Sequence, residues 1–226
     1  MITVHHLENS RSQRILWLLE ELGVEYRIEH YKRNPETSLA PPELAEVHPL
    51  GKSPVVTDRG ITVAESGAII EYLVGRYDDG RLLPDEGTPE RRAYTYWLHY
   101  AEGSFMPLMI VSLILNRIDT AKMPFFVRPI ARGITGKVRE GYLDQNVQRN
   151  MDFLEATLAK SHWFCGDDFT AADIQMSFAL EAAAVRTNLD AGYPNLSVCL
   201  ERMHARPAYK AALDKGGPYQ LMGGGD

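Results

Sequence analysis

The sequence predicts an α/β domain over residues 1–80 followed by an all-helical domain over residues 89–226. Three observations predict it. Strand and helix signals alternate up to residue 77. Residues 78–89 carry Gly80, Pro84, Gly87 and Pro89 with no apolar period, which marks a linker. From Arg91 onward apolar residues recur at three-to-four spacing.

In the first unit, Ile2-Thr3-Val4 reads as a strand. Ile15, Leu18, Leu19 and Leu22 come next at helical spacing, widened by Leu16 and Trp17, with Gly23 suited to a left-handed C′ position. Glu25 to Tyr31 alternates as a second strand. Asn34 to Glu46 is a proline-bearing loop in which Pro42 suits a helix start. Val55-Val56-Thr57 and Ile61-Thr62-Val63 are strands joined by the Asp58-Arg59-Gly60 turn. Glu65-Ser66-Gly67 opens a helix carried by Ala68, Ile69, Tyr72, Leu73 and Tyr77.

In the second unit, Tyr94, Trp97, Leu98, Ala101, Phe105, Leu108 and Met109 form one helical pattern over Arg91 to Asn116, which Pro107 should kink. Lys122 to Gly136 holds two prolines and two glycines and should break the helix. Val138 to Lys160 resumes it. Thr170-Ala171-Ala172-Asp173 is a capping-box pattern before a buried helix running to Thr187. Leu196 to Ala205 is a further helix, residues 207–214 add a short one, and Gly216-Gly217 and Gly223-Gly224-Gly225 mark a flexible tail.

The chain has 226 residues, 45% hydrophobic and 24% charged, ordinary values for a globular protein with a sizeable core. A net charge of −6 argues against a nucleic-acid surface and against anionic membranes. The longest apolar stretch, Met106 to Leu115, contains Pro107 and Ser112 and is too short to span a bilayer. Cys165 and Cys199 match no zinc or Cys-x-x-Cys spacing and suit free thiols in a reducing compartment. No signal segment opens the chain, so a cytoplasmic location is expected. No metal ligand set is predicted, because the histidines lack partner spacing.

Asn9-Ser10-Arg11-Ser12 precedes the first helix. Unpaired N–H groups and the positive dipole end favour an anion there, and two hydroxyls accompany them. Without further context Ser10 and Ser12 are equally N-cap residues.

Four segments in order resemble the glutathione transferases across essentially the whole chain. They are Ser10 with Arg14; His48-Pro49-Leu50-Gly51-Lys52-Ser53-Pro54-Val55-Val56; Glu65-Ser66-Gly67-Ala68-Ile69-Ile70-Glu71-Tyr72-Leu73; and Phe164 to Asp173. The start of the chain is most similar to the serine-type fungal and bacterial branch. His48 and Ser53 depart from the family's usual asparagine and apolar residue.

The resemblance implies a thioredoxin-like first domain and a helical domain that walls the substrate pocket. It implies that Ser10 hydrogen-bonds to the glutathione thiolate, with Ser12 as the alternative. Glu65 and Ser66 would bind the γ-glutamyl end, and Lys52 the glycyl carboxylate. A cis Pro54 would turn the Ser53 backbone toward the cysteinyl unit. Tyr100, Phe105, Met106 and Met109 would wall an apolar pocket, although each also reads as helix core. A thiol with pKa about 8.5 is only about 3% ionised at pH 7, so the site must lower that pKa by about two units, roughly 2.7 kcal/mol.

The implied activity is conjugation of the glutathione thiolate to a small apolar electrophile by a homodimer. Glutathione is then a co-substrate and no cofactor is needed. Glutathione-dependent peroxide reduction and a non-catalytic binding or regulatory role on the same fold are the alternatives.

Overall fold

The computed structural model describes residues 1–185, 189–217 and 219. Its mixed sheet has the order β2-β1-β3-β4. The central strand β1 (Ile2–Leu7) is buried along its whole length. It runs parallel to β2 (Tyr26–Tyr31) and antiparallel to β3 (Val55–Asp58). β3 turns into β4 (Ile61–Ala64) through Arg59 and Gly60, at φ 50° and 82°. Two central residues with positive φ match the twist of a two-residue hairpin.

Helix α1 (Ser12–Leu22) comes after β1 and ends at Gly23 in the left-handed region, φ 66°. It is buried on both sides, which explains its wide apolar stripe: it packs on β1 and α3 (Ser66–Tyr77) and also on the helical domain. Trp17 meets the Phe169 and Tyr209 rings there. A short helix, α2 (Glu43–Val47), begins after Pro42.

Every described element from Pro89 onward is helical, with α4 (Pro89–Tyr100), α5 (Met106–Thr120), α6 (Arg128–Val138), α7 (Asp144–Leu158), α8 (Ala171–Ala184), α9 (Leu189–Gly192), α10 (Pro194–Ala205) and α11 (Pro207–Gly216), and π-helical turns at Ala101–Phe105 and Arg139–Leu143. Residues Ala171 to Ala183 of α8 are all buried, so α8 is the axis of this domain. Asp173 secures its start by accepting the N–H groups of Phe164 (2.9 Å) and Thr170 (2.8 Å).

The structure differs from the sequence reading in three places. Pro107 does not break its helix. A π-helical turn, Ala101–Phe105, joins α4 to α5, and Pro107 falls in the first turn of α5, where its missing N–H leaves no bond unmade. The continuous helix Pro89–Thr120 is therefore long and apolar enough to cross a bilayer by length and composition. Half of its most apolar window is buried inside the protein. The Lys122-to-Gly136 stretch is not a break either. Only residues 121–127 are non-helical, and Pro129 sits in the first turn of α6, where proline is accommodated. Residues 207–216 form a ten-residue helix rather than a short addition. The expected helix end at Thr187 and the Gly223-Gly224-Gly225 tail lie outside the described residues.

Helix α11 packs on α1, and Gly216 is buried at its end. A Cβ on Gly216 would lie 2.5 Å from Gln13 Oε1 and 2.9 Å from Leu16 Cδ1, so a larger residue there would have to displace the ends of both side chains. The Gly216 backbone hydrogen-bonds to the buried His6 ring, whose Nδ1 lies 2.8 Å from Ser12 Oγ.

Burial pushes the His6 pKa down to about 4, with His30 lowering it further. Between pH 6.5 and 4 the unfolded chain takes up a proton that folded His6 refuses. Stability should therefore fall as pH drops through that window, by at most about 1.4 kcal/mol per pH unit from this group. Urea unfolding of His6→Asn at pH 7, 5 and 4 should show a shallower pH dependence than wild type. Parallel profiles would show that His6 does not carry the effect.

Candidate active site

Three chain segments converge on one cleft of about 290 Å³, near the lower end of the size range of ligand pockets. One wall is the turn that carries His48, Leu50, Lys52, Ser53 and Pro54. A second is the start of α3, with Ala64, Glu65 and Ser66. The third joins Arg11, at the start of α1, to Glu102 and Ile110 on the long helix.

The Ser53-Pro54 peptide is cis. The Ser53 hydroxyl donates to the His5 carbonyl at 2.8 Å and accepts the Leu7 N–H at 3.2 Å. The β1–β3 ladder ends at His5 and Val55, and Pro54 has no N–H to extend it. Ser53 thus clamps the turn onto β1 by its side chain. That accounts for a serine where the family usually has an apolar residue. Among the described residues its own N–H and C=O enter no backbone hydrogen bond. Lys52 is exposed beside it.

Glu65 precedes α3 at φ 71°, ψ 127°, a conformation that costs a non-glycine residue about 1–3 kcal/mol. No side chain caps α3, and the first described backbone bond of this turn is Ile69 N–H to Glu65 C=O. The earlier N–H groups and the buried Ser66 therefore form a helix terminus suited to an anion, with the exposed Glu65 carboxylate beside it.

At the start of α1 the serines face inward. Ser10 is 6% exposed and Ser12 fully buried, and neither lines the cleft. Ser10 Oγ lies 2.8 Å from Ser12 Oγ and accepts the Ser12 N–H at 3.2 Å. Ser12 Oγ in turn meets His6 Nδ1 and the Leu7 carbonyl. The side chain on the wall is Arg11. Its Nε donates to both oxygens of Glu102, at 3.1 and 3.0 Å. Arg14, fully buried, places Nη1 3.0 Å from the same carboxylate and 2.6 Å from Gln175 Oε1. Both guanidinium carbons lie 5.2 Å from the centre of the Phe178 ring.

Tyr100, Phe105, Met106 and Met109, the expected pocket wall, are all buried and none lines the cleft. Tyr100 stacks on Phe105 and donates to Asn150, which is a core role. The apolar side chain of this helix on the cleft is Ile110, 41% exposed. The extra residue of the π-helical turn shifts the helical phase between Tyr100 and Met106 relative to a uniform 3.6-residue wheel. Arg11, His48, Leu50, Ala64, Glu102 and Ile110 line the cleft without having been expected there as site residues. Arg11 stood inside the stretch already singled out. Glu102 carried no local signal.

A sheet with a cis-proline turn opposite a helix start, joined to a helical domain across a charged cleft, is the two-domain architecture that the sequence resemblance implies. The glutathione S-transferase N-terminal domain profile matches residues 1–75, and the C-terminal domain profile matches residues 120–207. The chain is 39% identical to glutathione S-transferase 3 of Schizosaccharomyces pombe, over 95% of this chain and 88% of that protein. It is 34% identical to glutathione S-transferase 1 of Saccharomyces cerevisiae, over 95% of each. A solved glutathione S-transferase from Actinobacillus pleuropneumoniae superposes with a TM-score of 0.78 at 34% identity, covering 96% of this chain and 93% of that one. The chain belongs to the glutathione S-transferase family, and its activity is glutathione transfer.

Glu65 offers a direct probe of the cleft. Its carboxylate is exposed, so Glu65→Gln should leave the fold intact. A lost charge-assisted contact should weaken glutathione binding by about 10- to 100-fold. Calorimetric titration reads this, and an unchanged affinity would remove Glu65 from the site.

Proposed function

We propose that glutathione lies along this cleft with its γ-glutamyl end at Glu65 and Ser66, its cysteinyl backbone paired with Ser53 beside Pro54, and its glycyl carboxylate near Lys52. The sulfur then faces the start of α1. The single observation that supports this reading is the convergence of those three segments on one cleft. Extended peptides are held in this way by backbone pairing plus end contacts.

The Ser10 hydroxyl, turned from Ser12 toward the sulfur, donates to the thiolate, and Ser12 is the neighbouring hydroxyl of the same group. The thiolate attacks an electrophilic carbon. A carbon–sulfur bond forms as the leaving group departs or the acceptor double bond takes the electron pair. The thiol proton goes to solvent, and the protein supplies proximity and electrostatic stabilisation but no covalent nucleophile. The co-substrate is a small apolar electrophile placed against the exposed flank of α5, where Ile110 stands on the cleft wall. Glutathione is the co-substrate, and no metal or cofactor takes part. Absorbance titration of bound glutathione should show a thiol pKa well below about 8.5, and Ser10→Ala should raise it by about one unit. If Ser10→Ala keeps the low value and Ser12→Ala loses it, Ser12 is the donor.

The working form is a homodimer in the cytoplasm. Both cysteines are buried and free, as suits a reducing compartment. Ile114 and Ile118 of α5 and Ile130, Ile134 and Val138 of α6 are exposed. The two helices are side by side, tied by Thr135 and Arg139 to Asp119. Helical spacing puts Ile114 and Ile118 on one face of α5 and Ile130, Ile134 and Val138 on one face of α6, apolar surface of the kind that subunit contacts cover. Sedimentation should give twice 25.4 kDa, and Ile114→Glu combined with Ile134→Glu should give the monomer. A wild-type monomer at micromolar concentration would contradict the dimer.

A further inference from the structure

Ionising a thiol in this cleft requires a donor or a positive charge at the sulfur end. Ser10 is 6% exposed and off the cleft wall, its hydroxyl 2.8 Å from Ser12 Oγ in a buried chain that continues to His6. Arg11 differs. It is the one residue of the stretch 9–12 on the cleft wall, and its side chain is 30% exposed.

Its charge is also uncompensated. Arg11 and Arg14 share the single Glu102 carboxylate. Two guanidiniums against one carboxylate leave one net positive charge. Arg14 is sealed from solvent and relies on Glu102 for its ionic partner, so the surplus resides on Arg11, at the cleft. The ion pair engages Arg11 through Nε. Among the described residues no hydrogen bond engages its two terminal nitrogens, and both guanidinium carbons lie 5.2 Å from the centre of the Phe178 ring.

We propose that Arg11 is a catalytic residue whose guanidinium faces the glutathione sulfur and stabilises it as the thiolate. Glu102 is the positioning residue that aims it. The inference rests on the glutathione reading above and adds to the Ser10 contact. A neighbouring arginine is a recognised means of favouring thiolate over thiol. Proton release goes to solvent, and Arg11 stays charged throughout.

The test titrates glutathione-saturated wild type, Arg11→Gln and Arg11→Lys by thiolate absorbance. Saturation separates ionisation from affinity. Arg11→Gln should raise the bound thiol pKa by about one unit, a tenfold fall in the thiolate-to-thiol ratio. Arg11→Lys keeps the charge and should recover part of the shift, and the acid limb of its kcat/KM profile should move in parallel. A wild-type pKa in Arg11→Gln, or a Lys variant indistinguishable from Gln, would overturn the role of Arg11. A wild-type complex whose thiol titrates like free glutathione would instead overturn the functional reading itself.

Discussion

The carboxylate of Glu102 joins the two domains at the cleft. Arg14 lies on α1 in the first domain and is buried completely, and its Nε and Nη2 are without partners among the described residues. A buried charge in that state is tolerable only with an ionic partner nearby, and removing one partner of a buried pair is strongly destabilising. Glu102, supplied by the helical domain from within a π-helical turn, is that partner. The same carboxylate holds Arg11 at the cleft. The domain contact and the electrostatics of the site therefore depend on one residue.

Behind the cleft wall runs a second set of contacts. Ser10, Ser12 and His6 form a buried hydrogen-bonded chain from the start of α1 to β1, and the His6 ring reaches the Gly216 backbone at the end of α11. The first helix start is thus braced by the last described helix. Ser53 plays the corresponding part for the cis turn, since its hydroxyl bonds both ways to β1. Two of the three cleft segments are fixed by β1, which is why a strand with no residue on the cleft wall governs its shape.

Much of this was legible in the sequence because the signals are local. Gly23 after Leu22, Arg59-Gly60 between two β-branched runs, and Thr170 with Asp173 each specify a backbone conformation within a few residues. What the sequence left open was orientation. Ser10, Arg11 and Ser12 are adjacent, and which of them meets the cleft depends on how α1 is rotated against β1, α8 and α11. Tyr100, Phe105, Met106 and Met109 have the period of a pocket wall and of a core alike, and in the structure all four are core. Pro129, Gly133 and Gly136 read as breakers, yet α6 runs through them because it packs on α5 along one narrow side and leaves the rest exposed.

The central claim is that the α1 start, the cis turn and the α3 start hold one glutathione with its sulfur at the α1 end. A crystal structure of the glutathione complex tests it most directly. The account predicts the γ-glutamyl carboxylate on the N–H groups at Ser66, the cysteinyl backbone paired with Ser53, and the sulfur within hydrogen-bonding reach of Arg11 or Ser10. Glutathione bound elsewhere, or in this cleft with its sulfur turned to Lys52, would contradict it.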